Sequence, residues 1–138
     1  MPWSITEIHP LLVHFPIALY STGLLFDIIS RFNYQSEMES AGFWIMGVAV
    51  LSSIFTIAAG FIAFADQGNM LDIFKFTHGL LEITANLLLY LLFYLRFSFQ
   101  LELRFSIAKQ NVFLLFHSLA VGILFYGAHL GAIAAERF

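Results

Sequence analysis

The chain has 138 residues, of which 60% are hydrophobic and 11% charged, with a formal net charge of −3. A mean hydropathy of +0.86 excludes a water-soluble globular domain, and six Lys and Arg against nine Asp and Glu leave no basic surface for nucleic acid. There is no cysteine, which removes thiolate zinc sites, Cys-ligated iron–sulfur clusters and covalently attached haem together.

Four apolar runs reach the length of about 20 helical residues that a hydrocarbon core requires: Pro10 to Ile29, Ala41 to Ala65, Ile73 to Leu95 and Asn111 to Ala135. They predict an all-α integral membrane protein, an up-down bundle of four transmembrane helices, with residues 1–138 as one domain. No Lys or Arg precedes the first run, which is of spanning length, so it reads as a retained helix and not as a cleaved signal. Four crossings put both termini on one side, side A. The connections on the opposite side, side B, carry Arg31, Arg96, Arg104 and Lys109 against Lys75 and Arg137 on side A, which places side B in the cytoplasm. The expected location is a bacterial inner membrane with periplasmic termini. Connections as short as 31–40, 66–72 and 96–110 make sequential helices antiparallel neighbours, with helices 1 and 3, and helices 2 and 4, as diagonal partners.

In the first run, Pro10 is expected to start the helix, and Pro16 removes a helix hydrogen bond and leaves the carbonyl of Leu12 without its partner. Asp27 and Arg31, spaced i, i+4, read as a structural ion pair. Gly47, Gly60, Gly79, Gly122, Gly127 and Gly131 allow close helix approach and equally make room for a flat cofactor. From Phe97 to Ile107 apolar residues alternate with mostly polar ones. This reads as an interfacial segment or an extension of helix 3, or as a docking edge for another subunit.

Histidines carry the functional expectation, because an ionisable ring inside a membrane is costly unless something engages it. At a rise of about 1.5 Å per residue, His14, His78 and His129 share a level roughly 5 to 7 Å inside side A. His117 lies about 25 Å from side A, in the other half, where it reads as a packing residue, and His9 falls at the water interface. His14 and His78, on diagonal helices, fit the two axial ligands of one haem b, with His129 as the alternative ligand and Gly79 beside the ring. His78, Glu82, Asn86 and Tyr90 recur every four residues on one face turned into the bundle. Glu82 is there either protonated, hydrogen-bonded, or part of a proton route. Asp66 is placed to orient a nearby imidazole.

The segment Ile8-His9-Pro10-Leu11-Leu12-Val13-His14-Phe15-Pro16-Ile17-Ala18-Leu19 resembles the N-terminal signature of the bacterial membrane-protein family known as DUF2231. The resemblance extends to a small-residue stretch and an acid closing helix 2 (Ala58-Ala59-Gly60 to Asp66), to His78, to His117 and to Tyr126-Gly127-Ala128-His129. It implies four helices and a respiratory or c-type cytochrome context, although this chain has no Cys-x-x-Cys-His motif.

Together these features lead to one expectation, a membrane haem b subunit that transfers electrons near side A within a larger redox complex. The alternatives are a haem-free copper or zinc site formed by His14, His78 and His129, or a non-catalytic accessory subunit. Expected partners are lipid, other membrane subunits or a second copy, and a periplasmic cytochrome c or quinone.

Overall fold

The computed structural model describes residues 5–67, 73–99 and 106–135. They form four helices: α1 (Ile5–Asn33), α2 (Ser36–Gln67), α3 (Ile73–Ser98) and α4 (Ile107–Ala134). All four are long and apolar enough to cross a membrane, so the protein is an all-α integral membrane bundle. Helix is the form in which an apolar run in lipid satisfies its own backbone. Hydroxyls on the outer faces do the same locally, since Thr22 donates to Ala18 O and Thr84 to Leu80 O.

Every helix extends beyond its apolar run at one end or both. α1 begins before Pro10, at Ile5, so Pro10 is an interior residue and not the helix start. Of the alternating segment, Phe97 and Ser98 complete α3, while Ser106 caps α4 by accepting from the Lys109 backbone N–H. Residues 100–105 lie outside the described residues. α1 and α2 are joined by Tyr34 and Gln35 alone, with Tyr34 in the left-handed region at φ 54°.

The core is built on heptads. On α1 the inward stripe is His9, Val13, Pro16, Tyr20, Gly23 and Asp27, and on α2 it is Gly42, Met46, Ala49, Ser53, Thr56, Gly60 and Ala63. On α3 it is His78, Glu82, Ala85, Leu89, Leu92 and Arg96, and on α4 it is His117, Ala120, Leu124, Gly127 and Gly131. Alternating steps of three and four residues give the 3.5 repeat of left-handed, knobs-into-holes bundles. Large apolar side chains such as Leu51, Phe55, Leu87 and Leu115 are left on the outer surface, where lipid replaces protein as their neighbour.

α1 packs most extensively on α2 and α3 on α4, with thinner seams between the two hairpins. α1 and α3 are diagonal, as are α2 and α4. Yet α1 and α3 meet across the bundle axis through side chains at matching heptad positions: His9 opposite His78 toward side A, and Asp27 opposite Arg96 toward side B. The two hairpins are thus related as parallel repeats around an axis along the membrane normal.

Arg96 Nη1 donates to Asp27 Oδ2 at 2.7 Å, Nη2 donates to the Glu39 carbonyl at 2.8 Å, and both side chains are buried. The guanidinium lies between the rings of Phe43 and Phe113, at 5.8 and 5.6 Å from their centroids. Asp27 therefore pairs with Arg96 and not with Arg31, whose Nε donates to Asn111 Oδ1 at 3.1 Å. The reason is rotational, because Asp27 lies on the inner stripe whereas Arg31, one turn on, sits where the helix leaves the core. Arg96→Met strands the Asp27 carboxylate and should lower stability by about 3 to 5 kcal/mol. Arg31→Met should change it by less than about 0.5 kcal/mol. Thermal unfolding of both variants in detergent micelles checks the pair.

Candidate functional site

Between the hairpins, in the half of the bundle nearer side A, lies a cavity of about 580 Å³ lined by all four helices. Its wall is mainly apolar, with Val13, Pro16, Ile17, Ile57, Phe61 and Leu80 among the lining residues, and its polar groups are few. His9 and His78 face one another there with ring centroids 6.5 Å apart and ring planes at 67°. Glu82 and Asn86 continue inward from His78, and Tyr20, Ser53 and Thr56 form the deep end.

Each imidazole is held by main chain and seated against a glycine. His78 Nδ1–H donates to the Gly127 carbonyl at 2.7 Å, which fixes the neutral tautomer whose lone pair is on Nε2. A Cβ at Gly131 would stand 2.8 Å from His78 Cε1 and Nδ1. The His9 ring is bonded to the Thr56 main chain, and a Cβ at Gly60 would stand 2.9 Å from its Cε1. Burial lowers the His9 pKa, the neighbouring His78 lowers it further, and the Thr56 bond opposes both. Nδ1 of His9 is buried without a hydrogen-bond partner, as is Oε1 of Glu82, which packs against Gly127.

The first helix is locked in place by its own proline. Pro16 frees the carbonyl of Leu12, and the Thr56 hydroxyl from α2 approaches that oxygen at 3.3 Å. The same hydroxyl lies 3.1 Å from Ser52 O, so its single proton is shared or alternates between the two carbonyls. Thr56 thus connects the proline bend to the ring of His9.

Of the residues expected from sequence, the fold turns His78, Gly79 and Glu82 toward this cavity. His14 and His129 lie on exposed outer faces of α1 and α4, away from it. The ring opposite His78 is that of His9, not His14. Five residues of helix separate His9 from His14, a rotation of about 140°, so only one of them can face the axis. Among the described residues no three His, Asp or Glu side chains gather to hold a bare metal ion, and His14, His78 and His129 do not converge. The side chain of Asp66 lies outside the described residues. Sequence depth alone favoured His14. The missed signal was phase, because counting back in sevens from Gly23 through Pro16 puts His9 on the inner stripe.

Gly131→Ala and Gly60→Ala should each displace a histidine ring and cost about 1 to 3 kcal/mol of stability. Gly79→Ala and Gly122→Ala, where an added Cβ meets nothing within 4 Å, should be neutral or stabilise by up to about 1 kcal/mol through helix propensity. Thermal unfolding of the four variants side by side separates the two classes.

No curated protein and no solved structure matches the chain. The family model described as "Predicted membrane protein (DUF2231)" matches residues 6–138, and so covers the proline-flanked histidines, the cavity and the buried ion pair alike. The chain belongs to the DUF2231 family of membrane proteins.

Proposed function

We propose that this protein is an electron-transfer subunit of a bacterial inner membrane whose cavity on side A takes one haem b, which His9 and His78 would hold. The observation that carries this reading is the His9–His78 pair. Two imidazoles bound on opposite sides of one metal ion, through bonds of about 2 Å each, bring their ring centres to roughly 6 Å, and here the centroids are 6.5 Å apart. The residues fit the group on three further counts. The lone pair of His78 Nε2 and the buried Nδ1 of His9 are available as donors. The space beside Gly79 is open. The cavity, of about 580 Å³, is lined mainly by apolar residues, with Tyr20, Phe61, Phe64 and Phe76 among them.

This arrangement also favours haem over copper or zinc. A bare ion needs three or four protein ligands, whereas haem brings four of its own and asks the protein for one or two. Among the described residues the site offers two imidazoles and no third ligand.

Bound there, haem supplies one-electron chemistry. The chain's own residues do the rest. Gly127 and Thr56 orient the two imidazoles, and the apolar wall excludes water and lowers the local dielectric. Lys75, which also lines the cavity, offers a cation to an acidic group. Periplasmic termini put this site on the side where a cytochrome c docks, and its depth suits exchange with quinone as well. A chain of 15.6 kDa doing this work is expected to assemble with other membrane subunits or with itself.

Reduced-minus-oxidised difference spectra test the reading. Wild type produced with adequate haem should show b-type absorbance that is lost in His9→Ala and His78→Ala and kept in His14→Ala and His129→Ala. Absence of b-type absorbance in the wild type overturns the proposal. Loss in His14→Ala with retention in His9→Ala would return the ligand to His14 and contradict the pairing drawn from the fold.

A further inference from the structure

A second cavity, of about 610 Å³, lies at the side B end, with Asp27, Arg31, Glu39 and Arg96 among its lining residues. The bundle is therefore entered from both ends. The inner limit of the side A cavity is Tyr20 and Ser53, and that of the side B cavity is Asp27. Tyr20 and Asp27 are seven residues apart on α1, so about 10 Å of protein separates the two cavities.

That partition is not a dry plug. On its side A edge, Ser53 Oγ bonds the Tyr90 hydroxyl at 2.8 Å and the Tyr20 hydroxyl at 3.3 Å, a three-hydroxyl cluster shared by α1, α2 and α3 in which the Ser53 proton alternates between these hydroxyls and the Val50 carbonyl at 2.8 Å. On its side B edge, His117 Nδ1 stands 3.5 Å from Asp27 Oδ2, too long for a hydrogen bond but one small shift away from one. His117 and Tyr90 are each 17 residues from the side A ends of their helices, counted from Ala134 and Ile73, so their backbones share a level while the Tyr90 side chain tilts toward side A and the His117 side chain toward side B. His117 is fully buried with neither ring nitrogen hydrogen-bonded. Beyond the hydroxyls, Asn86 Oδ1 and Glu82 Oε1 are buried and likewise unpartnered. A packing role leaves such a run of donors and acceptors unexplained, since buried polar groups are ordinarily satisfied.

We infer that the bundle conducts protons between its two faces, with His117 as the relay between Asp27 and the Tyr90–Ser53–Tyr20 hydroxyls. A proton from the side B cavity reaches the Asp27 carboxylate and passes to one nitrogen of His117. The imidazole releases its other proton from the opposite nitrogen toward the hydroxyl chain, through ordered water, and resets by ring rotation or by the reverse exchange of tautomers. The hydroxyls then hand a proton on, through water, to the Glu82 carboxylate and the side A cavity. Each step moves one proton and no electrons. The route is independent of haem binding, so the two proposals stand or fall on different measurements.

Proteoliposomes of the full chain enclosing a pH-sensitive dye, with valinomycin and a potassium gradient to drive flux, test the inference. Wild type should acidify the vesicles at least tenfold faster than protein-free lipid. His117→Leu should return to the lipid baseline, and His14→Ala, on the outer face, should match wild type. Because His117→Leu disturbs the ion-pair cluster, Tyr90→Phe and Ser53→Ala serve as shape-preserving variants, each expected to slow flux at least threefold while eluting as folded protein. Wild-type flux at the lipid baseline overturns the route. So does unchanged flux in folded His117→Leu, or in both hydroxyl variants, which would reduce the buried groups to packing.

Discussion

The ion pair between Asp27 and Arg96 is the constraint on which the rest of the bundle depends. Apolar helices in lipid have no hydrophobic reason to prefer one register over another, since lipid tails solvate Leu as well as a neighbouring helix does. A buried carboxylate is different, because it tolerates only the position that faces its guanidinium. Arg96 reaches the other three helices from α3: the carboxylate of α1, a carbonyl and an aromatic face of α2, and an aromatic face of α4. With the side B end pinned in this way, the heptad stripes carry the same phase to side A, and that phase sets His9 opposite His78.

Close approach of polar groups inside the hairpins depends on a division of labour between their helices. Apart from His117 on α4, the ionisable side chains of the core are on α1 and α3, and α2 and α4 carry the glycines that receive four of them. His9 seats on Gly60, Asp27 on Gly42, His78 on Gly131 and Glu82 on Gly127. Each glycine removes a methyl group from the place a ring or carboxyl occupies, so the large polar group fits without forcing the helices apart. The thin seams between hairpins complement this, because the space withheld from helix packing is the space that forms the cavity.

Much of this was legible in the sequence, and what was not had a specific physical cause. The four spans, their antiparallel order and their diagonal pairing follow from run length and short connections. The freed carbonyl of Leu12 follows from Pro16, although its approach by Thr56, 44 residues on, does not. Depth along a helix reads from residue number once the helix start is known, and because α1 starts at Ile5 and not at Pro10, His9 lies within the helix opposite His78 and not at the interface. Rotation about the helix axis is harder, because a helix apolar on every side has little amphipathic signal to say which face is inside. That is why depth alone favours His14 over His9, and why spacing alone pairs Asp27 with Arg31. The heptad held the answer, but at the two ends of the bundle its inner positions are marked by Gly, His and charged residues, and the larger apolar side chains usually taken to mark a core, such as Met46, Leu89 and Leu124, occupy only its middle.

The two-residue connection at Tyr34 and Gln35 has a consequence for biogenesis. It is too short to let α1 settle independently, so α1 and α2 enter the bilayer together as a preformed hairpin while α3 and α4 are still being synthesised. At that stage Asp27 is inside the hydrocarbon without the guanidinium that stabilises it in the finished fold. The nascent hairpin therefore carries an uncompensated polar group until Arg96 emerges some 70 residues later. The pair that aligns the mature helices thus also times their assembly, and it marks a chain that stops after α2 as unfinished.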